Sequence, residues 1–194
     1  MKYQKSNRVL VSMALLAALV GVTASAIVAA DSKPQTADKQ YMLEKAPKKA
    51  EDVSATRKDA KDQQAVVVVG RVGGRTNPWV KGAAAFSIVD RSLKACSERP
   101  GDTCPTPWDF CCEADLAKST VLVMVQDADG KLVKKDAREL LGLKELDTVY
   151  VEGKAKRDKT GNVTILASKF YVARDKDKKV EAADLKADAK ETAK

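Results

Sequence analysis

The sequence predicts an all-β domain with one short helix: a five-stranded antiparallel barrel of order β-β-β-α-β-β, with a cysteine-rich insert between its second and third strands. Three observations predict it. Residues 65–173 alternate apolar, β-branched runs with turn residues, one short stretch among them has a helical pattern, and both flanks change abruptly to charged composition. A small sheet of this kind removes its exposed edges by closing on itself.

The first strand is "AVVVVGRVGGR" (65–75), where Gly70 interrupts a β-branched run and marks a bulge or bend. "AAAFSIVD" (83–90) is the second, with Phe86 and Ile88 on one face. "TVLVMVQD" (120–127) is the third; Val121, Val123 and Val125 alternate with Leu122 and Met124, which predicts burial of both faces. A turn follows at Asp129-Gly130. "KDARELLGL" then reads as the helix: Asp136 and Glu139 form a capping pattern, Leu140 and Leu141 an apolar face, and Gly142 a stop. "TVYVEGKAKRD" (148–158) alternates, with Val149, Val151, Gly153 and Ala155 opposite Tyr150, Glu152, Lys154 and Lys156. A hairpin turn around Gly161 leads into the last strand, "VTILASKFYV" (163–172).

The flanks read differently. Lys2, Lys5 and Arg8 precede an apolar run over Val9–Val22, and small residues follow to Ala30. That order predicts a secretory signal peptide over 1–30, cleaved near 26 or 30, and therefore an exported, periplasmic or secreted protein. The alternative is an uncleaved anchor, the one membrane association the sequence suggests. Residues 31–64 and 174–194 are charged and poor in apolar side chains. They are expected to be a disordered linker and a disordered or frayed helical tail.

The core strands "VVVVGRVGGR" and "AFSIVD" and the final hairpin "VYVEGKAKRDKTGNVTILASKFYV" resemble the OB-fold, as seen in bacterial exported OB-fold proteins and anticodon-binding OB domains. An SH3-like barrel is the structural rival. The resemblance covers 65–173 and implies a ligand groove across the second and third strands, between the 1–2 and 4–5 loops. Trp79 would line that groove, and Arg71, Arg75, Lys81, Lys154, Lys156 and Arg157 would form its basic rim. Trp79 and Trp108, with Phe110, can equally serve as packing anchors that hold the insert on one end of the barrel.

The insert, residues 91–119, contains all four cysteines of the chain, Cys96, Cys104, Cys111 and Cys112. An even set in an exported protein makes two disulfides the leading expectation, with Cys96 and Cys104 each bonded to one of the neighbours Cys111 and Cys112. A thiolate metal site is the alternative; with no histidine in the chain it would be all-sulfur. Against it stand the lack of paired C-x2-C knuckles and the expectation that adjacent cysteines do not easily reach one ion. Thiol-redox chemistry lacks a C-x-x-C motif.

Composition narrows the function classes. The formal charge of +8 falls to +5 without the three basic residues of positions 1–30, and residues 65–173 hold 17 Lys/Arg against 14 Asp/Glu. That balance is an ordinary solvated surface and argues against single-stranded nucleic acid as the partner. No catalytic set or phosphate-binding loop is legible, so no enzyme activity and no cofactor are expected. The leading expectation is a non-catalytic binding module for an envelope protein or glycan, stapled by disulfides. The alternative is a metal-binding or thiol-redox protein using the four cysteines, and the second alternative, which the fold resemblance implies, is single-stranded nucleic-acid binding.

Overall fold

The computed structural model describes residues 37–174, so the expectations for the signal segment and the tail lie outside the described residues apart from Arg174. In chain order the elements are β1 (Glu51–Asp52), α1 (Val53–Asp59), β2 (Ala65–Val72), β3 (Ala85–Val89), β4 (Thr120–Val125), α2 (Ala137–Leu141), β5 (Thr148–Arg157) and β6 (Val163–Ala173). Strands β2-β3-β4-β6-β5 are neighbours in that order, and β5 pairs back onto β2 from Ala65↔Lys154 to Arg71↔Thr148, which closes the barrel. This is the five-stranded barrel, OB-fold-like in shape, that the strand pattern predicts. Its pairings are antiparallel except that of β4 with β6. Five is odd, so a closed ring cannot alternate direction throughout, and one parallel seam is unavoidable.

The bounds of α2 fall where Asp136 and Gly142 place them, although no capping bond from Glu139 completes the pattern among the described contacts. Asp136 accepts from the Arg138 N–H at 2.9 Å, and Gly142 ends the helix at φ 64°, a left-handed conformation that glycine adopts without strain. Inside the barrel Phe86 packs between Trp79 and Phe170, with ring centroids 6.0 and 6.1 Å away. Strand β4 buries only one face: Val121, Val123 and Val125 point inward, whereas Leu122 is exposed and Met124 half-buried. Strand β3 is buried throughout, because the chain returning from β2 lies against it, with Pro78 accepting from the Ser87 N–H at 2.9 Å.

The segment expected to be a linker is folded from residue 37 onward. Tyr41 enters the main core, and the Leu43 N–H donates to Phe170 O at 2.7 Å. Strand β1 runs parallel to β2, and α1 buries Val53 and Thr56. Gly70 is where the two layers touch: a Cβ there would lie 2.8 Å from Val89 O and 2.9 Å from the Val53 side chain. That glycine serves close approach rather than the bulge or bend expected of it. Arg157 fastens the end of α1, donating to Arg57 O (2.6 Å), to Ala60 O (2.8 and 3.0 Å) and to Gly161 O (3.0 Å). A cation over the last carbonyls of a helix satisfies groups that the helix itself leaves unpaired.

The β5–β6 turn is organised by Asp158. Its carboxylate accepts from the Thr160 hydroxyl and N–H (2.7 and 2.9 Å) and from the side chain and N–H of Asn162 (3.1 and 2.9 Å). These bonds, Thr160's first, hold the carboxyl down at about 2. A group depressed on folding stabilises the turn fully above its unfolded value and loses that contribution as pH falls through the folded one. Amide protection at 158–162, taken relative to the intrinsic exchange rate at each pH, is therefore expected to fall between roughly pH 4 and pH 2, and Asp158→Asn should flatten that dependence. An unchanged pH profile in the variant would contradict this account.

Candidate thiol site

The insert leaves and re-enters the barrel at one point, where the Asp90 N–H donates to Ser119 O at 2.9 Å. Asp90 also caps this base, accepting from the Ser54 N–H at 2.7 Å and from the Ser92 hydroxyl at 2.7 Å. These bonds outweigh its burial and keep its carboxyl below the ordinary range. Within the insert, two backbone bonds lay residues 96–97 against 107–109: Cys96 N–H to Asp109 O (2.8 Å) and Ser97 N–H to Pro107 O (2.9 Å). They carry Cys96 across to Cys111.

Charged and aromatic side chains hold this loop to the barrel. Arg71, on β2, grips Glu98 with two bonds of 2.8 Å and lies 5.7 Å over the Phe110 ring. Glu98 also accepts from the Ala95 N–H, and Arg71 foremost holds its carboxyl below the usual value. Phe110 is fully buried with Val89 and Ala95, in an apolar cluster separate from the main core. Its ring occupies the space beside Gly73, where a Cβ would meet it at 2.6 Å. Glu113 closes the far side, accepting from the Lys94 N–H (3.0 Å) and Arg99 (2.6 Å).

This scaffold brings three thiols together. The sulfurs of Cys96, Cys104 and Cys111 all lie within 4.8 Å of one another. Cys96 is buried and its Sγ stands 3.5 Å from Cys111 Sγ; Cys104 is half-buried and contacts the Thr106 hydroxyl at 3.4 Å. Cys111 is exposed, as is Cys112, whose Sγ lies 3.9 Å from Cys111 Sγ. Burial pushes the Cys96 thiol up, hydrogen bonding to Thr106 draws Cys104 down, and sharing with Cys96 and then Cys112 pushes Cys111 up to about 12.

The expected disulfides are absent. All four cysteines are free, and no pair approaches the bonded distance of about 2.05 Å. The disulfide-stapled binding module is corrected accordingly: the insert is fastened by Phe110, Arg71–Glu98 and Arg99–Glu113. Of the adjacent pair, Cys111 joins the three-sulfur group and Cys112 does not, its sulfur lying 3.9 Å from that of Cys111. Three thiolates around one ion with bonds of about 2.3 Å sit roughly 3.8–4.0 Å apart. In the observed triangle the Cys96–Cys111 edge is 3.5 Å and no edge exceeds 4.8 Å, which brackets that spacing, and its donors are uniformly soft.

Of the residues expected to line or rim a groove, three are engaged within the fold. Arg71 engages Glu98, and Arg157 clasps α1. Trp79 is buried, donating from Nε1 to Glu145 at 2.7 Å beneath the Arg138 guanidinium. Arg75, Lys81, Lys154 and Lys156 are exposed. Trp108 is half-buried and bonds Thr76 O at 3.1 Å. Sequence reasoning missed Glu98, Glu113, Asp109 and Gly73, which support the loop that carries the thiols; most of their partners are distant in sequence, with Gly73 meeting Phe110 and Asp109 accepting from the Thr76 hydroxyl. No local pattern signals such pairings.

Fold and site together define a small OB-like barrel carrying a three-thiol cluster on one loop. Compared with known proteins, the chain matches no protein-family model and no curated protein.

Proposed function

We propose that this protein binds a soft metal ion, copper(I) in preference to zinc, through the thiolates of Cys96, Cys104 and Cys111. The observation that carries this reading is the mutual approach of three sulfurs within 4.8 Å, on a loop fixed by charged and aromatic contacts. Thiolates select soft ions, and copper(I) is satisfied by two or three of them. Zinc usually takes four donors in structural sites, and the cluster offers three. The basic, apolar and small-residue order of positions 1–30 supports placing this activity in an exported protein.

The test is anaerobic loading of the reduced full chain with copper(I) or zinc, followed by metal analysis and thiol alkylation. The expected result is about one copper(I) ion per chain, with Cys96, Cys104 and Cys111 protected from alkylation. Four thiols that still alkylate freely after copper is offered would overturn the proposal.

A further inference from the structure

Cys112 lies outside the three-sulfur cluster, yet it is placed beside it. Its Sγ is 3.9 Å from Cys111 Sγ, and Cys111 in turn is 3.5 Å from the buried Cys96. The four thiols thus form a graded path: Cys112 and Cys111 exposed, Cys104 half-buried, Cys96 buried. Two thiolates on one ion, each bonded at about 2.3 Å, can stand up to roughly 4.6 Å apart. The exposed pair therefore already has a chelating separation.

We infer that Cys112 is the exchange ligand of the site: ions arrive at and leave from the Cys111–Cys112 pair, and Cys111 hands them inward to Cys96 and Cys104. This rests on the metal-binding reading above. On arrival, the Cys111 and Cys112 thiols each release a proton to solvent as their metal–sulfur bonds form and the donor's ligands depart. Next, Cys96 and Cys104 release protons and bind the ion, the bond to Cys112 breaks, and Cys112 recovers a proton. The ion keeps its oxidation state and no electrons move.

The chemistry of this step specifies the partner. A donor or acceptor must share the ion with an exposed sulfur, so it must itself present soft ligands, thiolate or thioether. Hard carboxylate carriers would exchange poorly here. The fixed loop helps, because Arg99–Glu113 secures the residue immediately after Cys112.

The experiment compares the full chain with Cys112→Ser, under reducing, anaerobic conditions, using copper(I) supplied by a coloured copper(I)-selective chelator. Circular dichroism checks that the variant is folded. Cys112→Ser is expected to keep the copper stoichiometry and equilibrium competition of the parent chain while slowing transfer in both directions by about tenfold or more, since a lost bridging bond raises the barrier to exchange. Parental transfer rates in the variant would overturn the exchange role and leave the three-thiol site standing. Loss of stoichiometric copper from the variant would also overturn it, making Cys112 a resident ligand. Absence of copper from the parent chain would overturn both readings together.

Discussion

Replacing Cys96 with serine is expected to weaken copper(I) binding at least about a hundredfold, more than loss of a residue that only orients a ligand. Cys96 is the deepest of the three thiols, and its backbone is pinned by the bond to Asp109 O. Serine preserves the shape of the site, but its alcohol is a hard donor that stays protonated and serves copper(I) poorly. The variant should therefore fold, while competition against the coloured chelator shows the loss. Serine at Cys104 should act in the same direction. Unchanged affinity in Cys96→Ser would move the ion to the Cys111–Cys112 pair alone and refute the three-thiol geometry.

Phe110→Ala is expected to lower stability by about 3–5 kcal/mol, the usual cost of emptying a fully buried aromatic site. For a domain of this size that corresponds to a fall in Tm on the order of 10 °C. The ring fills the space beside Gly73, contacts Val89 and Ala95 and lies beneath Arg71, so its loss also frees the Arg71–Glu98 pair. Copper affinity should fall too, because the thiols lose their common support. Thermal unfolding by circular dichroism measures the first effect and chelator competition the second. A Tm within a degree or so of the parent's would show that the insert is not anchored through this ring.

The barrel was legible because its strands carry their own signals. Val149, Val151 and Ala155 point inward as alternation requires, and Asp136 and Gly142 bound α2 where their chemistry places them. Residues 37–64 were misread because their contribution is not periodic. Tyr41, Val53 and Ala60 are single apolar side chains, each placed in a site made by distant strands, and Arg157 holds the segment by backbone carbonyls that any sequence would present. Leu122 misled in the opposite sense, its apolar character predicting a burial that the outer face of β4 does not give.

The candidate site was legible in its membership and not in its chemistry. Four cysteines in one loop drew attention at once, but an even count and a secretory prefix favour disulfides on grounds of compartment alone. What separates a thiol cluster from a pair of bonds is a difference of about 1.5 Å in sulfur separation. The loop that holds the sulfurs is fastened by Glu98 and Asp109, which grip Arg71 and Thr76 outside it, and by Glu113, which grips Arg99 within it. Spacing in the sequence carries no trace of these contacts.

The single point at which the insert joins the barrel has an evolutionary consequence. Val89 pairs with Thr120, and the next rung, Asp90 to Ser119, closes the loop's neck. A loop hung from one rung of a hairpin can be acquired, lengthened or deleted without shifting the register of the strands on either side. Its apolar cluster around Phe110 is distinct from the main core, so changes in one need not be answered in the other. The seam on the host that resists such independence includes Arg71, Gly73 and Thr76, the strand residue Val89 in the Phe110 cluster, and Asp52 and Ser54, which bond Arg91 and Ser119. Descendants of this architecture could trade away the sulfur loop whole and keep the barrel, with those seam positions recording that it had once been there.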